Sequence, residues 1–182
     1  MTDHAERPLR ADARRNRARV LRTAAEVFAT EGLSVPVHEI ARRAEVGTGT
    51  VSRHFPTKED LFAAVLLDRM RTLADYADAL TAEQEPGNAF LGLFTKLVHE
   101  GAAHRGLAEA LTGAGFDIEA AAAAAGCDVS GRLRDMLTNA QQAGAIRPEI
   151  TYADLKALMA GCLAYEGDDL DRVINVVRRG LQ

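Results

Sequence analysis

The chain is expected to fold as an all-α protein, and three observations lead there. Alanine is abundant, while aromatic residues make up only 5% and there are five prolines, a balance that favours helix over strand. Apolar residues recur at i, i+3, i+4 and i+7 along most of the chain, and no stretch alternates with a period of two. Glycine, proline and Ser/Thr/Asp caps punctuate these runs at lengths suited to helices. About nine helices are expected, in two domains covering residues 1–56 and 57–182.

Bulk properties narrow the class. At 182 residues, with 47% hydrophobic and 26% charged, the chain can bury a real core. Two cysteines, Cys127 and Cys162, are too few for a disulfide framework, and the opening MTDHAERPLR lacks the apolar core of a signal peptide. No apolar run approaches the roughly 20 residues that span a bilayer. A soluble cytoplasmic protein is expected. The net charge of −4 is unevenly spread: residues 1–60 carry 11 Lys+Arg against 9 Asp+Glu, whereas residues 61–182 carry 11 against 17. The first 22 residues hold seven arginines against three acids. A basic front on an acidic body suits a protein that meets phosphates at one end. A solvated basic helix face would look the same on charge alone.

The elements follow in order. The first eight or so residues are polar and read as disordered. From Leu9 to Glu31, Leu21, Ala24, Ala25 and Phe28 form a helical stripe widened by Val20 and Val27, and Gly32-Leu33 stops it. Pro36 suits the first position of a helix running from Val37 to Ala44 with Ile40, Ala41 and Ala44 buried. Glu45-Val46-Gly47 is a turn. The helix from Gly47 to His54 buries Val51, with Phe55 following on the same side. Its opposite side, at 100° per residue, centres on Gly49 and Arg53 with Thr50 and Ser52 beside them. That outward face is small and polar apart from Arg53, and such a surface can enter a major groove.

Pro56 ends this helix, and Thr57 with Asp60 forms a capping box for a long helix from Lys58 to Thr81, with Leu61, Phe62, Val65, Leu66, Met70 and Leu73 inward. Lys58 sits in its first turn, where free N–H groups attract anions. After Glu85-Pro86-Gly87, a helix to Ala102 carries Phe90, Leu93, Phe94, Leu97 and Val98. A short helix spans Arg105–Leu111, and Asp117 caps an Ala-rich helix to Ala143, interrupted at Gly126 and Gly131. Thr151 with Asp154 caps a helix to Tyr165, and a last helix covers Asp168–Leu181.

The residues from Ile40 to Leu61 carry a resemblance. They are similar to the amino-terminal domain of the TetR family of repressors, whose pattern is roughly I-A-x-x-A-G-V-S-x-G-T-[LV]-Y-x-H-F-x-[ST]-K-x-x-L. Ile40, Ala41, Ala44, Val46, Gly49, Thr50, Val51, His54, Phe55, Thr57, Lys58 and Leu61 agree, twelve positions over 22 residues. The stretches HRGLAEAL and NAQQAGAIRPEITYADLKALMAG resemble an actinobacterial subgroup, the SbtR-like repressors. The resemblance implies a helix-turn-helix reader followed by an effector-binding and dimerising body. It implies phosphate contacts from Thr48, Thr50, His54 and Lys58, with Gly49 and Ser52 on the same DNA-facing surface. Arg53, whose guanidinium can grip guanine in two places, is the candidate base contact. Arg14, Arg15 and Arg17 would reach flanking backbone or minor groove. The small outward face implies modest direct readout, leaving room for DNA shape.

Three positions depart from the pattern. Glu45 stands where the family has Gly, and Glu resists positive φ. Gly47 replaces a capping Ser at little cost. Ser52 replaces a Tyr that contacts DNA in the family, shifting weight to Arg53 and the phosphate clamps.

In the body, Phe90, Phe94, Leu97, Phe116, Met136, Met159, Cys162 and Tyr165 are candidates to line an apolar pocket for a neutral or hydrophobic small molecule; taken singly, each suits plain core packing better. The small-residue stripe Ala157, Ala160, Gly161 and Ala164 marks the last two helices as a homodimer interface. No cofactor or metal is expected. Gly47-Thr48-Gly49 follows no strand and lacks the third Gly of a nucleotide loop, and His99 and His104 lie about 140° apart on a helix. No catalytic constellation is legible. The expectation is a non-enzymatic, ligand-responsive repressor that binds a palindromic operator in double-stranded DNA as a dimer. The alternative from another class is a helical small-molecule carrier or enzyme with a vestigial helix-turn-helix.

Overall fold

The computed structural model describes residues 3–182, with side chains from Asp12 onward. The described residues form ten helices and no strand, and no helix among them is long and apolar enough to cross a membrane. The helices are α1 (Asp3–Glu31), α2 (Val37–Arg43), α3 (Thr48–His54), α4 (Lys58–Glu83), α5 (Pro86–Ala103), α6 (Arg105–Gly113), α7 (Ile118–Ala124), α8 (Val129–Gln142), α9 (Tyr152–Leu163) and α10 (Leu170–Leu181). Helix α1 begins at Asp3, within the stretch expected to be disordered; Met1 and Thr2, also in that stretch, lie outside the described residues.

The count exceeds nine because the Ala-rich stretch is two helices. Alanine propensity favours one continuous helix, but Gly126 takes φ 72°. The Gly126 N–H donates to the Ala123 carbonyl and the Cys127 N–H to the Ala122 carbonyl, the double bond of a Schellman stop. Asp128 then caps α8 by accepting from the Gly131 N–H at 2.8 Å.

The chain folds into two compact units, and they are not the sequential halves 1–56 and 57–182. The first comprises residues 1–68 with 104–118, the second residues 69–103 with 119–182. The reason for the return is the amphipathic α6. Its Leu107 and Leu111, each 2% exposed, belong to the same core as Val20, Leu21, Ala24 and Phe28 of α1, Ile40 of α2, Val51 of α3 and Leu61, Phe62 and Val65 of α4. Phe28 and Phe62 meet edge to face at 5.0 Å between ring centroids, a geometry the ring quadrupole favours.

The second unit is arranged around α5, which packs on α8, α9 and α10. Phe90, Leu93 and Phe94 of α5 are fully buried. Gly87 permits a close approach at the start of α5: a Cβ there would stand 2.5 Å from the Ala145 Cβ, well inside van der Waals contact. The expected cap of α9 is present, since Thr151 Oγ1 accepts from the Asp154 N–H while the Asp154 carboxylate accepts from the Thr151 N–H at 2.8 Å.

Candidate nucleic-acid interface

The reader is built by α2, a tight turn over residues 44–47, and α3. Val51 is fully buried and Phe55 is 5% exposed, so α3 is pinned by one side. The other side faces solvent: Thr48, Gly49, Ser52, Arg53 and His54 are exposed and Thr50 is half-buried. A Cβ added at Gly49 would meet Arg53 Nη2 at 4.0 Å, so the Arg53 side chain reaches back along the helix over Gly49. That direction is the ordinary one for long side chains on a helix. The absence of a side chain at 49 leaves room for the guanidinium against the helix surface there.

The turn carries the one described non-glycine residue with positive φ. Glu45 takes φ 54°. Its N–H donates to the Arg42 carbonyl at 3.1 Å and the Val46 N–H donates to the Ala41 carbonyl at 3.0 Å, completing a Schellman stop with Val46 packed on the helix it ends. Gly115, Gly126 and Gly144 make the corresponding turns after α6, α7 and α8. A left-handed L-residue costs about 1–2 kcal/mol, partly offset because glycine is more disordered when unfolded. Glu45→Gly is therefore expected to stabilise the protein by about 0.5–1 kcal/mol, raising the midpoint of thermal unfolding by about 1–4 °C. An unchanged or lower midpoint in a calorimetric scan would show that the turn is unstrained.

Four charged side chains hold α2 in place. Arg42 donates to Glu39 at 2.7 and 2.8 Å, and Arg43 donates to Glu39 at 2.8 Å and to Glu31 at the end of α1 at 3.0 Å. Hydrogen bonds from Arg42 and then Arg43 pull the Glu39 carboxyl down from 4.5 to about 2. A hydrogen bond from Arg43 likewise lowers Glu31. Because the folded value lies below the unfolded one, this contribution is fully present above about pH 4.5 and is lost as pH falls through about 2. The groups are solvent-exposed, so the effect is modest. Thermal midpoints measured from pH 5 to pH 2 should fall less steeply in Glu39→Gln than in wild type; parallel curves would remove Glu39 from the account.

The remaining candidates are placed unevenly. The Thr57 hydroxyl accepts from the Asp60 N–H at 3.0 Å, and the Asp60 carboxylate accepts from the Thr57 N–H at 3.0 Å. Lys58 therefore stands in a capped first turn, with its ammonium 5.7 Å from the centre of the Phe62 ring. The Arg17 guanidinium lies 5.6 Å from the centre of the Phe55 ring, which brings it to the end of α3. Arg14 is about 60° from Arg17 around α1, whereas Arg15 is about 160° away and pairs with Asp12. Arg17 thus meets the end of α3, Arg14 shares its side of α1, and Arg15 lies on another face.

The candidate effector residues do not form one wall. Phe90 and Met136 are buried in a core cluster that Leu97 and Met159 pack against. Phe94 and Cys162 are buried in another that Met159 also touches, and burial raises the Cys162 thiol. Tyr165 is half-buried beyond α9, and Phe116 packs on the core of the first unit. An open groove runs along α4 and α8, lined by Asp78, Thr81, Ala82, Arg132, Asp135, Met136 and Asn139; of the expected residues only Met136 reaches it. Arg132 bridges that groove by donating to Asp78 at 2.7 and 2.9 Å, a pair that spacing alone could not reveal. His99 meets Asp171 at 3.0 Å, while His104 belongs to the first unit.

Residues 20–65 match the model of the bacterial regulatory proteins of the tetR family, and residues 85–182 match that of the transcriptional regulator SbtR-like C-terminal domain. The chain belongs to the TetR family. Its C-terminal domain is of the SbtR-like type, as the second half of the sequence implied. A TetR transcription regulatory protein from Mycobacterium vanbaalenii is 46% identical, with 96% of this chain and 99% of that one covered and a TM-score of 0.79. A TetR transcriptional regulator from Streptomyces coelicolor is 30% identical, covering 91% and 98%, with a TM-score of 0.75. The TetR fold also matches a gamma-butyrolactone receptor at 22% identity, 93% and 89% coverage and a TM-score of 0.64. Among curated proteins, none matches the chain significantly.

Proposed function

We propose that this TetR-family regulator is a non-enzymatic repressor that binds a palindromic operator as a homodimer and is released by a small, apolar effector. The observation that carries the reading is α3, buried through Val51 and presenting Thr48, Gly49, Thr50, Ser52, Arg53 and His54 outward. In this reading Arg53 contacts a base. Thr48, Thr50, His54 and Lys58 hold phosphates, and Arg14 and Arg17 extend the grip to flanking backbone. One seven-residue helix offers too little surface for tight binding, and a two-fold protein matches a palindrome. The last two helices supply a surface for that dimer: Ala157, Ala160, Gly161 and Ala164 are exposed, and Val176 is 66% exposed.

Release follows as a population shift. The effector would occupy the interior of the second unit, among Phe90, Phe94, Leu97, Met136, Met159 and Cys162. These side chains are packed in two clusters that share Met159, so an effector must part them, and it therefore favours a different arrangement of α5, α8 and α9. The chain carries that change to the reader along α4 and through residues 104–118, whose Leu107 and Leu111 sit in the reader's own core. Selection of bound duplexes from a random DNA pool is expected to yield a two-fold repeat with half-sites about one helical turn apart. Light scattering at micromolar concentration is expected to report a dimer. A non-palindromic or absent consensus, or a monomer, would defeat the proposal.

A further inference from the structure

We propose that the groove between α4 and α8 takes the charged head of the effector, and that this head is a protonated amine on an apolar body. The inference rests on the effector-release reading above and narrows its ligand class. Every residue lining the groove lies in the second unit. Asp78, Thr81 and Ala82 stand at i, i+3 and i+4 on α4, and Arg132, Asp135, Met136 and Asn139 at i, i+3, i+4 and i+7 on α8. Each helix thus gives the groove one stripe. Between the stripes lies an open volume of about 400 Å³, within the range of small-molecule sites. Thr81, Met136 and Asn139 also line a smaller recess that reaches Pro86 and Ala89 at the start of α5. Met136 is 4% exposed and belongs to the same buried cluster as Phe90, another candidate effector residue. A flexible thioether at that point can yield to an apolar chain entering from the groove.

The charges of the groove select the head group. Arg132 is the one cation among its lining residues, and its fork is given to Asp78 at 2.7 and 2.9 Å. Asp128 and Asp75 also act on that guanidinium, and Asp135 stands one turn along α8 on the same side. Four carboxylates thus stand against one guanidinium, which leaves the groove negative. Asp135, Asn139 and Gln84 make no hydrogen bond or ion pair among the described residues, so they are open to a ligand. An ammonium donates three hydrogen bonds, and the Asp135 carboxylate and the Asn139 amide oxygen accept them. A carboxylate or phosphate head would meet like charge, and a neutral one would leave Asp135 unused. The Arg132–Asp78 pair is partly exposed and therefore weak, so a ligand ammonium can take the place of the guanidinium on Asp78. That pair ties α4 to α8 across 54 positions, and the exchange unties them.

The test uses the full chain as wild type, Asp135→Asn and Arg132→Met, with hexylamine, hexan-1-ol and hexanoate as probes at neutral pH. Hexylamine at a hundredfold excess over Kd is expected to raise the wild-type thermal midpoint by about 5–10 °C, and the other two much less. Asp135→Asn is expected to weaken hexylamine binding about 5- to 20-fold. Arg132→Met, which frees Asp78, is expected to tighten it about 3- to 10-fold; a guanidinium with a merely structural role would give no tightening. The assignment is overturned if millimolar hexylamine leaves the wild-type midpoint unchanged, or if hexan-1-ol or hexanoate matches it. It is equally overturned if Asp135→Asn binds hexylamine as well as wild type does, or if folded Arg132→Met binds it no more tightly. Should Arg132→Met fail to fold, Asp135→Asn decides alone. Binding of the selected operator without amine is read separately: if it holds while hexylamine fails to bind, the groove assignment falls and the repressor reading stands.

Discussion

Replacing Leu107 with alanine is expected to lower the unfolding free energy by about 2–5 kcal/mol, the cost of removing a fully buried leucine and leaving a cavity. The residue is 2% exposed and lies in the core that supports α3. Against a total stability of about 5–15 kcal/mol, such a loss is large, and the thermal midpoint should fall by about 5–15 °C. The effect should be strongest in amide exchange of α1 to α3, although Leu107 lies more than 50 positions from the end of α3 in sequence. If exchange accelerates only in residues 69–103 and 119–182, then α6 is not part of the reader's core. The same packing predicts that residues 1–68 excised alone will be less stable than they are in the intact chain, since the surfaces under Leu107 and Leu111 would be bare.

Arg53→Ala is expected to cost about 1–3 kcal/mol of sequence-specific binding per half-site, and a homodimer loses the contact twice. The exposed Arg53 guanidinium lies over Gly49, where no side chain obstructs a bidentate grip on guanine. The diagnostic is selectivity rather than affinity alone. Titrations against the selected operator and against a scrambled duplex should converge in Arg53→Ala. Lys58→Ala should instead weaken both duplexes alike and reduce the salt slope by about one unit. Uniform weakening by Arg53→Ala would make Arg53 a phosphate contact. Indifference on both duplexes would favour a ligand carrier with an idle reader.

What was legible in the sequence was local. The reader could be found because its residues recur at fixed spacing within 22 positions, and its parts touch within that span. Both capping boxes, Thr57 with Asp60 and Thr151 with Asp154, were legible for the same reason. Glu45 was readable as a departure, and its left-handed backbone gives that departure a physical cost. Contacts between distant segments were not legible. Nothing in the periodicity of Leu107 and Leu111 says which core they enter, so a division at residue 56 looked natural. Arg17 over Phe55 and Arg132 against Asp78 pair residues whose separation carries no signal. The candidate pocket residues show the same limit: apolar residues at helical spacing in a body are easy to enumerate, yet their spacing does not say which cluster each enters.

The return of residues 104–118 to the first unit also sets a schedule for synthesis. A ribosome that has made residue 68 has delivered the reader but not the leucines that finish its core; another 50 positions must emerge before Ile118. At about 5–20 residues per second, the nascent reader waits roughly 3–10 s with an uncovered apolar face. During that interval α4 and α5 are emerging as well. The reader's unit is thus completed only after residues 69–103 of the body have been made, which ties the appearance of a competent reader to the production of part of the body that is to govern it.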